Sequence, residues 1–367
     1  MARQPLGNSL PDFPWNSLAE AKKKAQSHPD GIVDLSVGNP VDPVAPGVQL
    51  AMASHAEAPG YPTTAGTAQL QEAIRGNVAR RTGAQPSSFG VLPVIGLKES
   101  IAWLPTLLGM RGQRVIIPSV AYPTYEVGAL IAGAYPERAD DPRDFGDAEL
   151  AFINSPSNPT GRVKTVEEMR AVVAWARENN VIVASDECYL ALAWDDEKKP
   201  VSILDPRVTD GDNTGLIAMH SLSKSHNLAS YRTGFFAGDE ALIAELLELR
   251  KHAGLIVPGP IQAAMVEALN DDDSATLQVR HYAARRAKLL RALTGAGFRI
   301  EHSEASMYLW ATRDEQCRIT VDWLAERGIL VAPGDFYGPS GDKFVRIGLN
   351  GTDERIDAAV ARLAADN

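Results

Sequence analysis

The sequence has little of what several common functions require. Its only cysteines, Cys188 and Cys317, are too few and too far apart for a disulfide framework or a zinc site, and a reducing cytoplasm is the expected setting. No stretch approaches the roughly 18 apolar residues of a membrane span, and the first fifteen residues lack the charged start and apolar run of an export signal. Neither GxxxxGK[ST] nor GxGxxG occurs, which removes the usual phosphate loops of nucleotide and dinucleotide sites. Positive charge is in deficit, with 36 Lys and Arg against 46 Asp and Glu, which disfavours a nucleic-acid partner. Repeats and low-complexity tracts are missing too. What remains is an ordinary globular composition, and 367 residues suffice for a large core with two domains or one domain and an appendage.

The chain has a rhythm. Apolar runs at 91–95, 114–118, 150–153, 181–184 and 215–219 read as short buried strands, and the first three are each followed by a helix-spaced segment, which predicts a largely parallel sheet with helices on both faces. The run at 233–237 comes too soon for a helical crossover and is expected to be antiparallel, so the sheet is mixed. Helices are predicted at 17–25, 70–81, 240–252, 260–269 and 277–293. Past Gly297, strands at 299–301, 307–312, 329–332 and 344–349 with helices at 320–327 and from 353 form a smaller α+β unit, which the strand at 31–35 joins. The expected organisation is an arm (1–30), a large domain (45–270) and a small domain (31–44 with 271–367). Phe13 and Trp15 on the Pro-rich arm are expected to pack on the body of the chain or on a second subunit. The acidic run 140–147 reads as a solvated loop.

In an open α/β sheet, ligands gather outside the carboxyl ends of the parallel strands. Gly96 with Leu97 and Lys98, Tyr122, Asn158, Asp186 with Tyr189, and Ser221 with Ser223 and Lys224 all fall just past predicted strand ends. Singly, each has a bland explanation as turn glycine, core ring, Asx-turn, helix cap or solvated loop. Five strands supplying such groups to one rim call for a common ligand. Residues 96–98 open a helix whose free N–H groups suit a phosphate, with Ser221, Ser223 and Arg232 completing the pocket. Lys224, if sheltered, can lose its proton and form a Schiff base with an aldehyde. Tyr122 can stack on a ring, and Asp186 can keep a ring nitrogen protonated. Gly38, in the turn after 31–35, lets a ligand carboxylate approach the backbone. A phosphorylated pyridine aldehyde meets all these demands, and Lys224, once displaced by a substrate amine, is placed to move a proton.

These residues carry a resemblance. SLSKSHNLASYRTG around Lys224, NSPSNPTG at 154–161, DECY at 186–189, AYPTY at 121–125 and VRIGL at 345–349 resemble, in order and spacing, the class I/II pyridoxal-phosphate aminotransferases. The resemblance implies fold type I of the pyridoxal-phosphate enzymes, an α/β fold with a mixed, mostly parallel seven-stranded sheet in a large domain and a smaller α+β domain. It implies Lys224 as the covalent anchor, Asp186 as the pyridinium partner, Asn158 and Tyr189 at the ring hydroxyl and Arg346 at the substrate α-carboxylate. By itself Arg346 is just a strand-end arginine. The resemblance also implies that Tyr61 reaches the phosphate of a neighbouring subunit, hence a homodimer with shared sites acting on small amino and 2-oxo acids. LPDFPW, SVGNPVDPVAP, ECYLALAWDDE, SILDPRV and LAERGILVAPGDFYGP further resemble the succinyldiaminopimelate aminotransferases of lysine biosynthesis. Residues 134–149 are shorter than usual for that group and leave one sheet edge open to question. Another aminotransferase or a carbon–sulfur lyase of the same fold is the alternative; a regulator of this fold would need a DNA-binding module for which 1–30 is too short.

Overall fold

The computed structural model describes residues 5–194 and 197–364. Residues 1–4 of the arm, Asp195 and Asp196 of the ECYLALAWDDE stretch, and 365–367 of the last predicted unit lie outside the described residues. Two 3-10 turns, Leu6–Ser9 and Pro14–Leu18, lead into α1 (Ala19–Gln26). Next come β1 (Val33–Asp34), α2 (Pro46–Ser54), α3 (Ala68–Thr82), β2 (Gly90–Val94), α4 (Leu97–Leu107), β3 (Arg114–Ile117), α5 (Thr124–Ala132), β4 (Tyr135–Arg138), β5 (Leu150–Asn154), α6 (Val166–Asn179) and β6 (Ile182–Asp186). The chain continues through α7 (Pro206–Thr209), β7 (Leu216–Ser221), β8 (Gly234–Gly238), α8 (Glu240–Ala253), α9 (Gly259–Asn270) and α10 (Asp272–Gly295). It closes with β9 (Arg299–Glu301), β10 (Tyr308–Thr312), α11 (Cys317–Glu326), β11 (Ile329–Leu330), β12 (Ala332–Pro333), β13 (Phe344–Gly348) and α12 (Asp353–Ala364). No helix of the described residues is long and apolar enough to cross a membrane.

The main sheet has seven strands in the order β2-β8-β7-β6-β5-β3-β4. As the short 221–234 connection predicts, β8 runs antiparallel to both neighbours, while the remaining pairs are parallel. β2 therefore points the same way as β7, and the carboxyl ends of β2, β3, β5, β6 and β7 share one edge. Alternate strand residues feed opposite cores. Val91, Val183, Ala218 and Phe235 pack with Ile74 of α3, Val173 of α6 and Met265 of α9, whereas Leu92, Ala184, Ile217 and Phe236 pack with Ile101 of α4, Ala129 of α5 and Leu246 of α8. Burial on both faces is why these strands read as continuous apolar runs. α6 starts in a capping box, Thr165 Oγ1 accepting from the Glu168 amide at 3.2 Å and Glu168 accepting from the Thr165 amide at 2.8 Å.

A second, antiparallel sheet of order β12-β13-β10-β9 and the parallel pair β1-β11 share a core with α1 and α10 to α12. Several expectations change here. The single strand at 329–332 is two: Ile329–Leu330 pairs with β1 and Ala332–Pro333 with β13, because the chain changes partner at Val331. α10 starts five residues early, since Asp271 caps it by accepting from the Ser274 amide at 2.9 Å. α2 had no prediction; Pro46 opens it, where a missing N–H costs nothing, but only Val48 is buried, so no apolar stripe marks it. The shortened stretch still completes the sheet with β4, whose half-exposed YPER has the polarity of an edge strand. Within the acidic run, Pro142–Asp144 form a 3-10 turn and Asp147 pairs with Arg114. The arm packs on its own chain: Trp15 lies 5.3 Å from Phe336, ring to ring, and Lys24 pairs with Asp322 at 2.6 Å.

Candidate active site

A cavity of about 1100 Å³ opens at the shared strand edge. Leu97, Lys98, Tyr122, Asn158, Asp186, Tyr189, Ser221, Ser223, Lys224, Arg232, Gly38 and Arg346 all line it, so the rim built from the strand rhythm and the arginine of β13 converge on one space. Gly96 sits just behind. It caps α4 at φ 73°, and a Cβ there would lie 2.5 Å from Arg232 Nη2, so glycine lets the guanidinium rest against the helix start. Arg232, itself at φ 58°, donates to the Ala229 carbonyl at 2.8 Å. Ser221 Oγ accepts from the Ser223 amide at 3.1 Å, folding the turn after β7. The Lys98 ammonium lies 5.2 Å from the centroid of Phe13, which leaves the backbone N–H groups of the helix start as what residues 96–98 offer an anion, as expected. Burial, helped by Arg232, lowers the Lys98 pKa.

Lys224 is half-buried and its Nζ donates to the Gly38 carbonyl. That carbonyl belongs to the loop after β1, which Asp42 ties to α10: both carboxylate oxygens accept from Arg285, at 2.6 and 2.7 Å. Burial opposes ionisation of Asp42, but the Arg285 and Gln278 hydrogen bonds prevail and hold its pKa below the ordinary value. At the end of β6, Asp186 accepts from the Tyr125 hydroxyl at 2.7 Å and from the Cys188 amide at 3.1 Å. Burial raises its pKa against the pull of those donors. A cation beside it would reverse that shift, as a protonated ring nitrogen is expected to do.

Arg346 is 2% exposed. It donates to Asn158 Oδ1 at 3.0 Å and to the Ser36 carbonyl at 2.7 Å, while its Nε has no partner among the described residues. Asn158 is held in turn, its amide donating to Asn154 Oδ1 at 2.7 Å. A buried guanidinium without a carboxylate partner is a costly arrangement that an incoming anion would relieve. The fit to a phosphorylated pyridine aldehyde is thus carried by the chain itself: a glycine-cradled arginine at a helix start, a buried carboxylate, a lysine at the rim and a guanidinium with no carboxylate partner among the described residues. Tyr61 is placed elsewhere, wholly exposed and outside this cavity.

Three features were not legible from strand spacing. Tyr308, in a run read only as a strand, lines the cavity. Tyr125, quoted only within a motif, orients Asp186. Beneath the rim, Glu187 Oε2 and His220 Nε2 lie 3.6 Å apart, each without a hydrogen-bond partner among the described residues. Burial pushes Glu187 up to about 7 and His220 down to about 3, so below about pH 7 the contact is a neutral pair and at no pH between these values a salt bridge. Glu187 raised in the folded state supplies stability that is complete below its ordinary pKa and is lost as pH rises through about 7. Glu187→Gln is therefore expected to gain on the wild type by roughly 3 kcal/mol between pH 5 and 8, read from denaturant melts; parallel pH curves would refute the neutral pair.

A family model described as "Aminotransferase class I and II" matches residues 30–363. A "probable aminotransferase" of Mycobacterium tuberculosis is 59% identical over 99% of this chain and 87% of its own length. The 4-dedimethylamino-4-oxo-anhydrotetracycline transaminase of Streptomyces rimosus is 51% identical over 96% of this chain and 99% of its own. Among solved structures, a "probable N-succinyldiaminopimelate aminotransferase" of Thermus thermophilus superposes with a TM-score of 0.84 at 27% identity, covering 96% of this chain and 100% of that one. Rim chemistry, sheet order and these similarities agree, and the chain belongs to the class I and II aminotransferases, enzymes that depend on pyridoxal phosphate.

Proposed function

We propose that this aminotransferase exchanges an amino group between N-succinyl-LL-2,6-diaminopimelate and 2-oxoglutarate, giving N-succinyl-2-amino-6-oxopimelate and glutamate in lysine biosynthesis. The observation that carries this is the cavity. At about 1100 Å³ it is at the upper end for a small-molecule site, and beyond the rim residues it is lined by Phe13, Trp15, Asn16 and Lys22 of the arm. Beyond the space the cofactor would fill, such a wall, with apolar faces and a cation, suits a long substrate with an anionic distal end. The motif resemblance and the 27% identical structure support the same substrate.

When bound, pyridoxal phosphate supplies an aldehyde that takes the amino group and a ring that draws electrons from the substrate Cα. The chain's residues hold and move charge around it. The 96–98 backbone, Ser221, Ser223 and Arg232 hold the phosphate, joined by Tyr61 from the other subunit of a homodimer. Asp186 would keep the ring nitrogen protonated, Tyr122 would pack against the ring, and Asn158 and Tyr189 would hydrogen-bond its hydroxyl. Arg346, with Gly38 and Asn158 beside it, takes the α-carboxylate. Lys224 would hold the aldehyde, and its free amine would be placed to accept the proton from the substrate Cα. The proposed boundary between the large and small domains lies near 270, just ahead of α10.

Transfer to a bulky polycyclic ketone stands second, favoured by the 51% identical transaminase. A screen of donors and acceptors decides. Succinylated diaminopimelate is expected to react with 2-oxoglutarate at a kcat/KM of about 10⁴ M⁻¹s⁻¹ or more, well above free diaminopimelate. Preference for a polycyclic ketone, or release of pyruvate and ammonia from a sulfur amino acid, would overturn the assignment.

A further inference from the structure

We propose that Tyr308 is a positioning residue that couples the carboxylate clamp Arg346 to the hydroxyl of Tyr189, so that one side chain sets both substrate affinity and the proton affinity of the cofactor linkage. The register places it for this. Tyr308 lies opposite Gly348, and Arg346 lies opposite Trp310, so Arg346 is the diagonal neighbour of Tyr308 on the same face of the sheet. The Arg346 guanidinium carbon lies 3.9 Å from the centroid of the Tyr308 ring, and Tyr337 approaches it at 5.1 Å. These rings hold a charge whose Nε has no hydrogen-bond partner among the described residues. At the other end of Tyr308, its hydroxyl is 3.2 Å from that of Tyr189. The same hydroxyl is why position 38 must be glycine: a Cβ there would lie 2.0 Å from it.

The inference rests on the proposed contact of Tyr189 with the ring oxygen. A phenol has one proton. When Tyr189 donates to the ring oxygen, the bond between the two tyrosines can persist only with Tyr308 as donor, which polarises Tyr189 and makes it the stronger donor. Burial, with Tyr308 nearby, holds the Tyr189 pKa well above the ordinary value, so its proton is available. A hydrogen bond to the ring oxygen favours the form in which that oxygen's negative charge is not balanced by a protonated Lys224 nitrogen. Weakening that bond raises the pH at which the linkage loses its proton.

Two substitutions separate the two roles. Tyr308→Phe keeps the ring and removes the hydroxyl: the pH midpoint of the holoenzyme's visible absorption is expected to rise by about half a unit or more, with the dissociation constant of glutarate, a non-reacting dicarboxylate, unchanged. Tyr308→Met fills the space without a π face: the midpoint rises similarly and glutarate binding weakens about tenfold. A wild-type midpoint in Tyr308→Phe, while Tyr189→Phe shifts it, overturns this inference alone. Wild-type midpoints in both overturn the Tyr189 contact as well. Undiminished glutarate binding by a folded Tyr308→Met chain overturns the clamp half, and Tyr308→Phe tests the proton half whether or not the methionine variant folds.

Discussion

Replacing Lys224 with alanine is expected to stop amino transfer, with turnover from glutamate falling about 10⁴-fold or more. Both proposed roles are lost together. The covalent anchor goes, and so does the ammonium that donates to the Gly38 carbonyl in the loop after β1. Cofactor should still bind, because the helix start, Arg232 and Asp186 are untouched. Borohydride reduction should fix cofactor to the peptide spanning 221–232 in the wild type and leave the variant unlabelled. Shared sites add a sharper outcome. Mixing Lys224→Ala chains with impaired Tyr61→Phe chains should restore about a quarter of the sites, because in a two-fold dimer one site of each mixed pair has neither lesion. Label on another peptide would sink the lysine assignment; failure of mixed chains to recover activity would sink the role of Tyr61.

Asp186→Asn is expected to reduce turnover about a thousandfold while leaving the fold intact. An amide can still accept from the Cys188 N–H and can donate to the Tyr125 oxygen, so the two hydrogen bonds of the buried carboxylate at 2.7 and 3.1 Å have counterparts. What is removed is charge. A unit-charge pair at about 4 Å is worth roughly 4 kcal/mol at an effective dielectric near 20, equivalent to about three powers of ten in rate. The pH dependence has a definite sign. Before cofactor binds, burial raises the Asp186 pKa, so protons compete with the ring cation, and cofactor affinity should fall as pH drops through that raised value. The asparagine variant should lose this acid-side decline. Near-normal turnover in Asp186→Asn, from initial rates at saturating cofactor, would remove Asp186 from its proposed role.

Much of the site was legible because its residues come directly after strands that sequence marks strongly. Asp186 ends β6 and Asn158 lies just past β5, and each of those strands is an apolar run buried on both faces. Parallel strands carry their carboxyl ends to one edge, so the residues just past each run are the residues of the rim. The misses share a cause as well. β4 is polar because edge strands are, α2 shows no apolar stripe because one residue is buried, and the partner change at Val331 lies within an unbroken apolar stretch. Tyr308 looked like core because it is core on one side and cavity wall on the other.

The sequence by itself determined the alternating fold, the antiparallel turn back at β8, the rim from Gly96 to Lys224 and the kind of cofactor such a rim suits, because each arises from local periodicity and from the strict geometry of parallel strands. Only the tertiary structure decided what comes from far along the chain: that Arg346 reaches Asn158 with no acidic partner among the described residues, that the arm lines the cavity, that the Lys98 side chain turns to Phe13, and that Tyr308 joins Arg346 to Tyr189. Those contacts depend on how the second sheet sits against the first, and packing between distant segments leaves no periodic mark in a sequence.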